Sequence, residues 1–117
     1  MKVKKVEFWD LDVPFTAHTD SHMRYWLPHW RIIQVCRITL DNGVEGWGET
    51  IPNYTWAPVP ADINERIVGS EAGRLLWRDD LGAGVQMALF DAVGKALDVP
   101  AYSLLGSKVK DWCPLSW

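Results

Sequence analysis

Polar and apolar residues alternate with a period of two near the start of the chain and again between residues 31 and 50. In Val3 to Asp12, β-branched and aromatic residues dominate, with Val6 and Phe8 on one side and Trp9 and Leu11 on the other. This spacing predicts a strand. From Arg31 to Leu40 the alternation is cleaner, since Ile32, Cys36, Ile38 and Leu40 share a face while Arg31, Arg37 and Thr39 take the opposite one. The apolar face of this second strand is expected to cover a core. Asp41, Asn42 and Gly43 follow, and Asn and Gly tolerate the positive φ angles of a tight hairpin turn, so Val44 to Thr50 must return antiparallel. In this third strand Gly46 and Gly48 flank Trp47, which leaves one face without side chains and open to another backbone or ring.

The pattern changes after residue 50. Pro52, Pro58 and Pro60 keep Ile51 to Ala61 from being a helix or a central strand, which makes Asn53, Tyr54, Thr55 and Trp56 part of an irregular loop. Asp62 with Glu65 three residues later resembles a capping box ahead of Ile63 and Ile67, so a short helix is expected there. In Ala83 to Leu97, Val85, Ala88, Leu89, Ala92, Val93, Ala96 and Leu97 follow helical spacing, with Asp79 or Asp80 as the expected cap and Pro100 as the stop. Asp91 and Lys95 lie one turn apart on its polar side, a pairing read as worth only ~0.3 kcal/mol and without function. Strands first and helices afterwards predict an α+β fold: a three-stranded antiparallel meander followed by a helical segment packed on one face.

Composition narrows the function. The 117 residues suit one domain, and 48% apolar with 23% charged residues is the balance of an ordinary globular protein. The net charge of −3, with Lys2, Lys4 and Lys5 as the densest basic stretch, argues against nucleic-acid binding. Cys36 and Cys113 are far apart, and acidic Glu7, Asp10 and Asp12 interrupt what a secretory leader would keep apolar, which points to a cytoplasmic protein with reduced thiols. No apolar run reaches membrane-spanning length. Eight Trp is an unusual number; Trp stacks on sugars, but it is also a large core residue, and most of the eight are expected in the core.

Three ordered segments carry a family resemblance. Asp41, Asn42, Gly43 and Val44 running into Gly46, Trp47, Gly48 and Glu49 look like the second hairpin of the N-terminal domain of the mandelate racemase and muconate lactonizing enzymes of the enolase superfamily. Ala88, Leu89, Phe90, Asp91, Ala92, Gly94 and Lys95 resemble that family's helix motif, and Pro100, Ala101, Tyr102, Leu104, Leu105 and Gly106 resemble the segment after it. The stretch from Ile51 to Leu81 is shorter than the family usually has. The resemblance implies an N-terminal α+β capping domain over residues 1–110, with 111–117 as the linker and start of the first strand of a C-terminal (β/α)₇β barrel. It further implies a homo-oligomeric enzyme, a racemase or dehydratase, that removes a proton next to the carboxylate of a sugar acid or similar small molecule. In such enzymes Mg²⁺ is held by acidic side chains on barrel strands. None of those strands lies in this chain, so the resemblance assigns it neither catalytic residues nor metal ligands.

The candidate site residues lie in two loops. Val13 to Trp30 is long for a connection between neighbouring strands, and loops of that size are commonly binding loops. It carries His22, Arg24, Trp26, His29 and Trp30, and the corresponding family loop closes over the barrel mouth. Tyr54 and Trp56 match a second family loop near the active site. Aromatic rings there exclude water while Arg or His pairs with a carboxylate; the competing reading is that Trp26 and Trp30 anchor the loop, and that Tyr54 and Trp56 pack against the barrel. His18, His22 and His29 are read as polar loop residues rather than a zinc site, Lys108 and Lys110 as a solvated linker, and Glu49 as a structural hydrogen-bonding or ion-pairing group. Two rival functions stand beside the enzyme part: a carbohydrate- or peptide-binding module that uses the Trp-rich loops, and an assembly domain.

Overall fold

A computed structural model describes residues 1–54 and 57–115. Three strands, β1 (Val3–Asp12), β2 (Ile32–Leu40) and β3 (Glu45–Thr50), form one antiparallel sheet in the order β1-β2-β3. The meander is therefore the one the alternation predicts. Val6 stands opposite Ile38 and Phe8 opposite Cys36, while Cys36 and Ile38 face Gly48 and Gly46 across the second pairing. The register of the β1–β2 pairing shifts between Val3 and Lys5.

The helices are α1 (Ala17–Trp26), α2 (Ile63–Ile67) and α3 (Ala83–Ala96), joined by short 3₁₀ turns at Pro28–Arg31, Ala72–Arg74, Asp79–Leu81 and Ala101–Leu104. Helices α2 and α3 cover one face of the sheet. The core between them contains Val3, Val6, Cys36, Ile38, Leu40, Ile63, Ile67, Leu81, Val85, Ala88, Leu89 and Ala92. Helix α3 lies almost on the backbone of β3. A Cβ at Gly46 would stand 2.1 Å from the carbonyl oxygen of Ala88, and one at Gly48 would stand 2.2 Å from that of Gly84. The bare face foreseen at these two glycines is the seat of the helix, met by the small residues Gly84, Ala88 and Ala92 one turn apart.

Several local expectations are corrected. The segment Val13 to Trp30 is not a plain loop: α1 and the Pro28–Arg31 turn occupy most of it. Asp62 does not close a capping box; no side-chain cap forms at α2, and its carboxylate pairs with Arg66 at 2.9 Å. At α3 neither Asp79 nor Asp80 is the cap, because both belong to the preceding 3₁₀ turn and Gly82, at φ +83°, makes the entry. A residue with a side chain is strained at that angle, which is why the reversal into α3 falls on glycine. At the other end Asp98 takes φ +55°, and the N–H groups of Asp98 and Val99 donate to the carbonyls of Lys95 and Gly94 at 3.2 and 2.9 Å, closing the helix before Pro100.

The tryptophans are the largest correction. None of the six described lies in the core: Trp9, Trp26, Trp47, Trp77 and Trp112 are exposed, and Trp30 is half-buried. The core is built instead from Val, Ile, Leu and Ala, because the close approach of α3 to β3 leaves no room for an indole. On the open face of the sheet Trp9 and Trp47 stack at 6.1 Å, with the Arg37 guanidinium 5.4 Å from each ring. Arg37 also donates to Glu7 at 2.6 Å, and hydrogen bonds from Lys5 and then Arg37 hold the Glu7 carboxyl below the usual range.

Candidate functional site

Helix α1 forms between two prolines, Pro14 and Pro28, with no glycine or proline inside it. The Thr19 and Asp20 N–H groups donate to the Thr16 carbonyl at 3.0 and 2.9 Å, and Asp20 pairs with Arg24 one turn on. That acidic-basic spacing, bracketed by prolines, is the only trace of the helix that the sequence carries. Pro28 cannot continue α1 and opens the 3₁₀ turn instead. No residue of α1 is buried. The helix stands off the domain as an arm.

The candidates fall into two groups. His22, Arg24 and Trp26 sit on α1: the His22 Nδ1 lies 3.1 Å from the Ser21 hydroxyl, Arg24 is held by Asp20, and Trp26 is 71% exposed with its ring edge-on to Tyr25 at 5.0 Å. His29 and Trp30 sit on the turn after it, both half-buried. Tyr54 lies in the turn that follows β3, its N–H donating to the Ile51 carbonyl at 3.3 Å. Trp56 lies outside the described residues.

Across these groups the structure joins Trp30 to Tyr54. Their ring centroids are 4.7 Å apart with the planes at 72°, an edge-to-face contact between segments separated by two strands. The Trp30 Nε1 is buried and, among the described residues, has no hydrogen-bond partner. Beside them Arg31 donates to both oxygens of Asp12 at 2.9 and 3.0 Å, and the Val13 N–H donates to the Arg31 carbonyl at 2.8 Å, so the turn is tied to the end of β1. The arrangement is a water-shedding aromatic pair with the cation Arg24 and the imidazoles of His22 and His29 on the same excursion of the chain.

Two expectations about other polar residues are revised. Asp91 and Lys95 are not a free surface pair: Asp91 accepts the Trp47 N–H at 2.8 Å, and Lys95 donates to Asp91 at 2.6 Å and to the Glu45 carbonyl at 3.2 Å. They satisfy the Trp47 N–H and the Glu45 carbonyl of β3. Glu49 is exposed and, among the described residues, makes neither the hydrogen bond nor the ion pair expected of it. His18 and His22 lie one turn apart on α1, but among the described residues no three His, Cys, Asp or Glu side chains gather closely enough to hold a metal ion. The described residues thus do not fit a Mg²⁺ site. None of the described helices is long and apolar enough to cross a membrane.

No protein-family model matches the chain. Individual relatives do. A D-galactonate dehydratase from Variovorax paradoxus is 32% identical over 112 residues, covering 80% of this chain and 28% of its own length. A D-galactonate dehydratase from Xanthomonas campestris pv. campestris is 33% identical over 103 residues, covering 72% of this chain and 26% of its own. The chain therefore spans about a quarter of the curated relatives it matches. Among solved structures, a protein assigned as an L-alanine-DL-glutamate epimerase from Burkholderia xenovorans, bound to magnesium and fumarate, superposes with a TM-score of 0.63 at 27% identity, covering 94% of this chain and 28% of that one. Muconate lactonizing enzyme from Pseudomonas putida has the same fold, with a TM-score of 0.68 at 23% identity over 95% of this chain and 34% of its own. With its strand meander, its glycine-seated helix and the ordered motifs on both, the chain belongs to the enolase superfamily and has the fold of the N-terminal capping domain of its mandelate racemase and muconate lactonizing branch.

Proposed function

We propose that this chain is the capping and substrate-specificity domain of a Mg²⁺-dependent enolase-superfamily enzyme that abstracts the proton next to a carboxylate, with a sugar acid as substrate and dehydration as the reaction. The observation that carries the reading is the likeness to D-galactonate dehydratases at 32–34% identity across most of the chain. Residues 1–110 form the cap in this reading, and 111–117 are the linker and first barrel strand. The barrel supplies the acid, the base and the ligands of the metal, which is consistent with the magnesium in the Burkholderia xenovorans structure. This chain contributes the mouth: Trp30 and Tyr54 exclude water, and Arg24, His22, His29, Trp26 and Trp56 select among carboxylates. The reading is of a homo-oligomer in the cytoplasm, where the free thiols of Cys36 and Cys113 stay reduced.

The test is made on the protein in which this chain is joined to its barrel. Supplied with Mg²⁺, it should convert D-galactonate or a close sugar acid to a keto-deoxy acid with loss of water. Trp30→Ala should change the ratio of kcat/KM between two sugar acids by about tenfold, the scale of one lost pocket contact. Absence of turnover on every carboxylate with an α-proton would refute the enzyme reading, and an unchanged ratio would refute the specificity role.

A further inference from the structure

Helix α1 has ten residues and buries none of them, and its packing is against the Pro28–Arg31 turn that follows it. A helix this short is marginal in water by itself, so its position depends on whatever holds its base. The base has two kinds of attachment. One is polar and local, the Arg31 bonds to Asp12 and Val13, which fix the turn's last residue to β1. The other is the Trp30 ring, whose edge-to-face partner at 4.7 Å is Tyr54 on the segment after β3. The indole packs edge-on against that ring, and among the described residues its buried Nε1 has no hydrogen-bond partner.

We propose that the Trp30–Tyr54 contact is a mechanical link that makes the α1 arm and the turn at residues 51–54 move as one unit, so that displacing either releases the other. An edge-to-face aromatic pair contributes enough to shift such a local equilibrium two- to tenfold, whereas the Arg31 ties to Asp12 and Val13 reach only the last residue of the turn. The link stands whether or not the two segments meet a substrate. Tyr54 acts here as a positioning residue, some thirty positions along the chain from the helix it steadies.

Backbone ¹⁵N relaxation on the full 117-residue chain tests this. In the unaltered protein the α1 amides should share the order of the sheet, with order parameters of roughly 0.85. Tyr54→Leu, which removes the ring, should lower those of Ala17–Trp26 below roughly 0.6 while β2 and β3 stay unchanged. Tyr54→Phe keeps the ring and should leave the arm ordered. An arm that remains ordered in Tyr54→Leu overturns the proposal, as does an arm already mobile in the unaltered protein or one released by Tyr54→Phe. Should Tyr54→Leu fail to fold, as judged from the β2 amides, Trp30→Leu breaks the same contact from the other side and decides by the same readout.

Discussion

The Asp91 carboxylate of helix α3 accepts the backbone N–H of Trp47 at 2.8 Å. Trp47 lies on an edge strand, where an N–H would otherwise face outward unpaired, ready to bond another chain. Lys95 completes the closure by bonding both Asp91 and the Glu45 carbonyl. Two charged residues on one helix thus take the place of a fourth strand. Asp91→Ala should destabilise the fold by about 0.5–1.5 kcal/mol, the net worth of a typical hydrogen bond, because the pair is exposed and water can replace the carboxylate. Asp91→Asn, which keeps an acceptor, should cost less. Urea midpoints at constant m-value measure both, and equal losses for the two substitutions would contradict the role given to the carboxylate oxygen.

Gly46 and Gly48 make the close seat of α3 possible. Gly46→Ala would place a Cβ 2.1 Å from the Ala88 oxygen and 2.4 Å from the Ala92 nitrogen, both of them rigid backbone. Relief requires moving the whole helix, so the cost should reach or exceed the ~3 kcal/mol upper range of core overpacking. Gly43→Ala is the contrast: nothing lies within 4 Å of its added Cβ, and the strain there comes from φ +84° alone. Chemical denaturation should therefore rank Gly46→Ala well below Gly43→Ala in stability.

Cys36 is fully buried, and burial pushes its thiol up to about 12 from 9.0. The folded state thus keeps a proton that the unfolded state gives up, and stability should fall as pH rises from about 9 toward 12. Cys36→Ala should flatten that decline while lowering stability at neutral pH through the lost packing. Thiol labelling offers an independent check: exposed Cys113 should react at once, and Cys36 only on unfolding.

The open face of the sheet presents Trp9 and Leu11, and Trp47 at its edge lines a groove along α3 with Met87, Phe90 and Leu105. Apolar surface of this extent promotes association. The isolated chain should therefore elute as a dimer or larger species in size-exclusion chromatography with light scattering. Trp9→Lys with Leu11→Lys should shift it toward monomer. A monodisperse monomer of the unaltered chain would contradict this expectation.

Much of the molecule was legible in the order of residues. A period of two, a turn rich in Asn and Gly, and a sustained helical period report burial on one side, and burial is what those patterns encode; hence the meander, α3 and the bare seat at Gly46 and Gly48 were all foreseeable. The arm was not, because α1 buries nothing and therefore imposes no apolar period, leaving only bracketing prolines and one Asp20–Arg24 pair as its trace. Nor did composition reveal that tryptophan would be excluded from the core, since that depends on how closely α3 approaches β3. The two loops could be nominated separately, but their meeting at Trp30 and Tyr54 and the closure of β3 by Asp91 and Lys95 depend on distances between segments far apart in the chain. Local patterns determine which elements form; only the packed chain decides which side chains from distant elements come within bonding range.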